Sequence, residues 1–329
     1  MAASKGVKWF AVAHMDEAMS LTDILPGVQV MILGAVRRDA VKELVARRIV
    51  PLILHEEQGL ELAAEAASTA SVLRCHVKID TGMGRLGFIW DRAADSIARL
   101  SRVRGMEIVG ICTHFASSDG PDVTYAQIQV ARFHSVIEDC RKLGIAFPMR
   151  HVSNSGGFHC LPGCDYEGVR CGIELYGYGP RSVDARIVAR PFLQWKSAIA
   201  QVRKVPAGFM VGYGSTHTTA RETNLATIDV GYADGYSRLL GNKAQVLIGG
   251  ARVPVVGRVS MNLATVDVGP ESAARAGDEV VLLGRQGGEA IWADEIARWC
   301  GTIPYEVLTG IRTKARYVVG PDRCLVRAQ

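Results

Sequence analysis

The 329-residue sequence predicts an α/β first part built on a parallel sheet, followed by a mostly-β second part. Three observations carry this. Up to about Ile187, short Val/Ile-rich runs alternate with amphipathic helical patterns, which is the signature of β-α units. Beyond it, β-branched runs are separated by Gly-rich turns such as Gly249-Gly250, Gly277-Asp278 and Gly287-Gly288. The composition, 48% apolar and 22% charged, suits a globular protein with a large core and excludes disorder, collagen-like repeats and a small disulfide scaffold.

Strands are expected at residues 8–13, 28–33, 50–55, 73–79, 108–114, 149–152 and 166–170. Helical patterns lie between the earlier ones. Val130, Phe133, Ile137 and Cys140 share one face, and Val41, Leu44 and Val45 share another behind Asp39 as N-cap. Strict alternation implies right-handed crossovers, on either an open doubly wound sheet or a closed eight-stranded barrel. Seven units is one short of a barrel. In the second part, runs at 194–205, 225–230, 243–248, 253–259, 263–268 and 279–283 read as strands, with one short helix near 294–300. The domain boundary falls between residues 1–187 and 188–329.

Charge and cysteines narrow the function. The net charge of +5 is modest, and the basic residues stand in scattered pairs with acids close by, unlike a nucleic-acid-binding stripe. The eight cysteines fall mostly in apolar runs, where they behave as small hydrophobes in a reducing compartment. His159, Cys160, Cys164 and Cys171 lack the second pair that a structural zinc site uses, so no metal is expected. The run from Val28 to Val36 is too short for a bilayer, which needs about 20 residues. The N-terminal segment does not read as a signal peptide, so a cytoplasmic protein without a membrane role is expected.

Several segments could carry chemistry. Gly82-Met-Gly84-Arg-Leu-Gly87 matches a dinucleotide fingerprint. Glu107, however, stands at the start of its strand rather than the end, and Arg85 is foreign to a turn that hugs pyrophosphate. Lys78 ends a strand, on the face where barrels collect their active sites, and Arg85 suits a bidentate grip on a carboxylate. His151-Val-Ser-Asn-Ser-Gly-Gly157 runs from a strand into small donors that could cradle a phosphate. One strand later comes Val169-Arg-Cys-Gly-Ile-Glu-Leu-Tyr-Gly177. Tyr213 and Tyr232 each stand between small residues that leave the phenol reachable.

Together these segments, with Thr113-His-Phe-Ala116, Gly257-Arg-Val-Ser-Met-Asn262 and Pro304-Tyr-Glu-Val307, resemble bacterial alanine racemase, a fold-type III pyridoxal-phosphate family. The resemblance runs from Trp9-Phe-Ala-Val-Ala13 to Tyr305. It implies a TIM-type (β/α)8 barrel missing its first βα unit, followed by the β domain, and interconversion of L- and D-alanine for cell-wall peptidoglycan. Asn154, Ser155, Gly172, Ile173 and Tyr305 would hold the cofactor phosphate. Arg170 would face the pyridine nitrogen, braced by His114. Arg85 would bind the substrate carboxylate or the phenol nearby, Met261 would offer its backbone N–H to that carboxylate, and Lys78 would be carbamylated. Tyr213 would be one catalytic base, and Tyr232 would guard the entrance. A head-to-tail homodimer with shared active sites is implied.

The family's second base is the Schiff-base lysine, in a Lys-x-x-x-Tyr-Gly-His-Gly setting. None of the nine lysines here has that context, so the expectation is a chain without meaningful racemase activity. Cys171, Gly156-Gly157 and Asn262 depart from the common family residues and leave alanine, serine or a broader substrate set open. The reading from a different class is a non-catalytic protein that binds pyridoxal phosphate.

Overall fold

Strands buried on both faces read as unbroken apolar runs, and the middle strands of the first part are of that kind. The protein, described by a computed structural model over residues 3–179, 186–312, 317–319 and 325–327, divides into two units. One comprises Met1–Leu175 and Gly179–Ala189, the other Tyr176–Tyr178 and Arg190–Gln329.

The first unit runs β1 (Trp9–Val12), α1 (Met15–Ile24), β2 (Gln29–Ile32), α2 (Val41–Ala46), β3 (Val50–Ile53), α3 (Glu56–Ser68) and β4 (Leu73–Asp80). It continues with β5 (Phe88–Ile89), α4 (Ala93–Leu100), β6 (Met106–Cys112), α5 (Thr124–Lys142), β7 (Met149–His151) and α6 (Ser155–Cys160). The strands pair in the order β1-β2-β3-β4-β6-β7, with β5 appended to β4. Every pair is parallel, as the β-α alternation requires. The result is a TIM-like parallel sheet with its crossover helices packed on one side. Val30, Ile32, Cys75, Val77 and Ile79 meet those helices in the main core. Met31, Leu52, Leu54 and Cys112 form a smaller cluster of their own with Trp9 and Leu33 packed on it. Phe133 and Cys140 of α5 are fully buried, with Val130 and Ile137 packed on the same core, as their spacing predicts.

Two local expectations need correction, and one short strand was not foreseen. Residues 166–170 form no strand: Tyr166 sits at φ 48°, which breaks an extended backbone, and only an isolated parallel bridge joins Asn154 to Arg170. Asp39 lies inside a short 3-10 turn and does not cap α2, whose N-cap is Ala40. The two-residue β5 passed unnoticed because it is too short to show a period.

The second unit is antiparallel. It holds β8 (Trp195–Val205), a small pair of β9 (Met210–Val211) and β10 (His217–Thr218), β11 (Thr223–Ile228), β12 (Gln245–Ile248), β13 (Ala251–Pro254) and β14 (Ala264–Asp267). After these come β15 (Glu279–Gln286), β16 (Glu289–Ile291), α7 (Ala293–Cys300), α8 (Pro304–Gly310) and a hairpin of β17 (Tyr317–Val319) and β18 (Leu325–Arg327). Its main sheet has the order β13-β12-β15-β8-β11-β14, with β16 on β15. The long β8 is central, flanked by β11 and β15.

Where β5 returns against β4, Gly87 has φ +119°, and a Cβ there would lie 2.6 Å from the Lys78 carbonyl oxygen. Gly87→Ala is therefore expected to lower unfolding stability by about 2 kcal/mol or more, through positive-φ strain and overpacking together. Urea denaturation checks this; an unchanged midpoint would show that the turn relaxes freely.

Candidate active site

Because β-strand side chains alternate, His76, Lys78 and Asp80 of β4 point away from the helix-facing Cys75, Val77 and Ile79. All three are buried. The ends of β4, β6 and β7 converge on one guanidinium. Arg170 Nη1 donates to His151 Nδ1 at 2.6 Å and to the His151 carbonyl at 2.8 Å. Its Nη2 donates to the carbonyls of Thr113 and Val152 at 2.7 and 3.0 Å, with His114 Nδ1 at 3.5 Å. Among the described residues, no carboxylate accepts from it. Four of its five N–H bonds are thus directed at neutral oxygens and imidazoles, and the Nε–H has no acceptor among the described residues.

The surroundings are electropositive. Burial, then the cations of Arg170, Lys78 and Arg85, push the His114 imidazole down to about 3, so it is neutral at pH 7. Burial lowers the Lys78 ammonium as well, opposed by Cys112 and Asp80 but helped by Arg170 and Arg85. Arg85 itself is exposed. The glycine loop that carries it is folded around Asp80, whose Oδ1 accepts from the N–H of Gly82 at 2.9 Å and of Gly84 at 3.1 Å. Oδ2 accepts from the Arg85 N–H at 3.0 Å. These amides, which a dinucleotide fingerprint would aim at pyrophosphate, are spent on a side chain of the protein itself.

Beside Arg170 the chain leaves donors open. The Asn154–Arg170 bridge lays the start of α6 next to the loop at 171–173. Asn154 caps α6 by accepting from the Gly157 N–H at 2.9 Å. The first amides of α6, at Ser155 and Gly156, have no intrahelical acceptor. Among the described residues, the Ser155 hydroxyl and the amides of Gly172 and Ile173 likewise show no hydrogen-bond acceptor, and nothing lies within 4 Å of a Cβ placed on Gly172. His159 and Glu174, hydrogen-bonded to one another, tie α6 to the turn that follows Ile173. His159 also accepts from the Arg186 N–H at 3.1 Å, so both of its nitrogens are engaged by protein groups. Among the described residues, no group of three His, Cys, Asp or Glu gathers to hold a metal ion. Gly156 and Gly157 leave no room for alanine, since added Cβ atoms would fall 2.8 Å from Ser118 and 2.7 Å from Phe115.

In the second unit, the remaining candidates share a set of linked turns. Tyr232 N–H donates to the Ser260 carbonyl at 3.1 Å and Ala233 N–H to the Met261 carbonyl at 2.9 Å, which sets Tyr232 beside Met261. That approach requires Gly231, where a Cβ would lie 2.3 Å from the Met261 oxygen. Asn242 joins the turn after Tyr213 to the same region, donating to Thr216 Oγ1 at 3.0 Å and accepting from the Gly257 N–H at 2.6 Å. Arg312 N–H donates to the Asp234 carbonyl at 2.8 Å, tethering the end of α8, which carries Tyr305. Tyr213, Tyr232, Met261 and Tyr305 are all exposed, Tyr213 at 71%.

Residues 1–180 match the family model of the alanine racemase N-terminal domain, and residues 192–319 that of the alanine racemase C-terminal domain. The chain belongs to the alanine racemase family. The alanine racemase of Carboxydothermus hydrogenoformans is 40% identical over 310 residues, covering 94% of this chain and 84% of the relative. The one from Desulfovibrio desulfuricans is also 40% identical, over 96% of this chain and 85% of its own length. Among solved structures, the Clostridium difficile 630 alanine racemase superposes with a TM-score of 0.89 at 31% identity, over 98% of this chain and 84% of that one. An alanine racemase from Bartonella henselae with covalently bound pyridoxal phosphate gives 0.84 at 27%, over 94% of this chain and 84% of that one.

For an alanine racemase family chain, the site holds two histidines to which the sequence reading gave no role. His151 approaches Arg170 more closely than His114, the brace expected from the resemblance. His76 stands behind it, 2.9 Å from His151 Nε2. A histidine inside an apolar strand reads as core, and only the alternation that sets His76 in phase with Lys78 could have flagged it.

The amides of Gly82, Met83, Gly84 and Arg85 hold the Asp80 carboxyl below its ordinary value of 3.8, against the opposing effect of burial. A depressed folded value means that the stabilisation is present above the unfolded value and is lost as pH falls through the folded one. Asp80→Asn is expected to be less stable than the parent at pH 7, with the gap closing below about pH 4 as the parent's carboxyl protonates. Melting curves of both chains across pH 2–8 check this; a gap independent of pH would assign Asp80 a purely steric part.

Proposed function

We propose that this chain binds pyridoxal phosphate in the first unit and serves the racemisation of alanine. The observation that carries the reading is Arg170: a partly buried cation with no carboxylate partner among the described residues, four N–H bonds spent on neutral acceptors, and one left for a ligand. The open donors of Ser155, Gly156, Gly172 and Ile173 fit the cofactor phosphate, and Asn154 and Tyr305 complete that set. The bound cofactor would supply an electron-withdrawing ring that eases removal of the α-proton.

The chain's own residues do the rest. Arg170 would offer its Nε–H to the pyridine nitrogen without protonating it, since a guanidinium gives up its proton reluctantly. His114, neutral, sets its Nδ1 3.5 Å from Arg170 Nη2 and so adds no second cation beside it. Arg85 and the Met261 N–H orient the substrate carboxylate. Tyr213 Oη moves the α-proton on one face, and racemisation needs a second base on the other. Tyr232 narrows the entrance. Because Tyr213, Tyr232 and Met261 belong to the second unit, the reading includes a homodimer in which one copy's second unit completes its partner's site. Cytoplasmic supply of D-alanine for peptidoglycan is the matching physiological role. No helix of the described residues is long and apolar enough to cross a membrane.

Lys78 fits carbamylation. Burial favours its neutral amine, the nucleophilic form, whose nitrogen bonds to the carbon of CO2 with loss of a proton. The product is an anion between Arg85 and Arg170. With 13C-labelled bicarbonate, a carbamate resonance is expected in the parent chain and none in Lys78→Ala; equal spectra would remove the assignment.

The second base is the lysine of the Lys-x-x-x-Tyr-Gly-His-Gly setting, which none of the nine lysines here matches. The 329 residues with pyridoxal phosphate are therefore expected to bind it but to show no alanine racemisation. The 329 residues joined to a βα unit that carries a lysine in that setting are expected to turn over alanine. In that joined chain, Tyr213→Phe should cut kcat by about a hundredfold or more in at least one direction. Binding without turnover in the joined chain would overturn the racemase reading in favour of a non-catalytic binder. Robust turnover by the 329 residues alone would overturn the lysine assignment.

A further inference from the structure

We infer that His76 is a positioning residue: it fixes the proton of His151 and, through it, the set of the Arg170 guanidinium, so that the Nε–H stays the donor offered to a ligand. Its meaning for catalysis rests on the reading of Arg170 above; the hydrogen-bond relay itself does not.

The direction of the relay follows from proton bookkeeping. A guanidinium has donors and no acceptor, so at 2.6 Å Arg170 Nη1 donates and His151 Nδ1 accepts. His151 then carries its single proton on Nε2, which lies 2.9 Å from His76 Nδ1. Reversing that bond would leave His151 with no proton at all, so His151 donates and His76 Nδ1 accepts. His76 in turn holds its proton on Nε2. Each imidazole has one tautomer compatible with the arginine at the end of the line.

Burial keeps both rings in the neutral form that this arrangement requires. It lowers the His76 imidazole to about 4, aided by Arg74. It holds His151 well below its usual range, with Arg170, His76 and Lys78 adding to the effect.

The His76 ring is held rigidly. It is fully buried, with Trp9 of β1 tilted over it at 5.8 Å between ring centroids. On β6 it rests against the bare backbone of Gly110, where a Cβ would fall 2.5 Å from its Cε1. Its Nε2 is a buried atom with no hydrogen-bond partner. An apolar side chain at this place would avoid the cost of that unmet donor. What it would lose is the acceptor for His151, and a freed His151 ring can turn or change tautomer and release one arm of Arg170.

Nuclear magnetic resonance of the full, ligand-free chain with 15N-labelled histidine and arginine tests this. In the parent, Nδ1 of both His76 and His151 is expected to resonate as an unprotonated ring nitrogen and Nε2 as a protonated one. The Arg170 Nε–H should give a single slowly exchanging signal. His76→Leu is expected to lose the unique His151 tautomer and speed exchange of that signal about tenfold, while His76→Asn, whose Oδ1 can still accept, should stay within about threefold of the parent. A proton on His151 Nδ1 in the parent chain, or identical His151 and Arg170 signals in His76→Leu, would overturn the inference even if a variant folds poorly. Titrating the parent with pyridoxal phosphate tests the other reading separately, since failure to bind would leave the ligand-free signals as they are.

Discussion

Burying a guanidinium without a carboxylate is the constraint on which the site depends. Arg170 is partly buried and donates to no carboxylate among the described residues, so its cost is met by acceptors placed in a fixed geometry at the ends of neighbouring strands. The carbonyls of Thr113, His151 and Val152 come from β6, β7 and the residues just beyond them. Strand register therefore decides whether the charge can be held at all. The parallel ladder from β4 to β7, and the short bridge from Asn154 to Arg170, bring those oxygens within reach. The same bridge lays the open amides of α6 beside Gly172, so one backbone contact positions both a cation and an anion cradle.

Around that cation the chain arranges its other charges by what each is allowed to touch. Asp80 is the nearest carboxylate on β4, yet its oxygens are filled by backbone amides of its own loop. It shapes the loop that presents Arg85 without neutralising the pocket. Lys78, Arg85 and Arg170 remain a positive field, and His114 and His151 stay neutral within it. Such a pocket favours ligands bearing phosphate and carboxylate groups and disfavours cations.

Much of this was legible from residue order. The apolar runs of β2 and β3 announced themselves because a doubly buried strand tolerates few polar residues, and the other strands showed through the β-α alternation. Lys78 stood out as a charge near a strand end, whereas Arg170 gained a role only through the family resemblance. What escaped were features set by distant parts of the chain. Residues 166–170 have strand-like composition, but Tyr166 takes a left-handed backbone that no local pattern reveals. The glycine run at 82–87 was rightly set aside as a dinucleotide site, but that its amides face Asp80 could not be read from spacing. His151 sat inside a recognised motif with no role, since its partner Arg170 is 19 residues away in sequence. α8 was missed because a seven-residue helix is too brief for periodicity to show.

The contact between His76 and Gly110 also bears on how such a chain can change over generations. The imidazole occupies the volume that a side chain on the neighbouring strand would need. The two positions are one choice made across two strands, and the choice has an order. A lineage that first exchanges the histidine for something smaller is then free to acquire a side chain at 110. A lineage that begins at 110 meets a collision before any benefit. Substitutions here are thus reachable along one route and barred along the other.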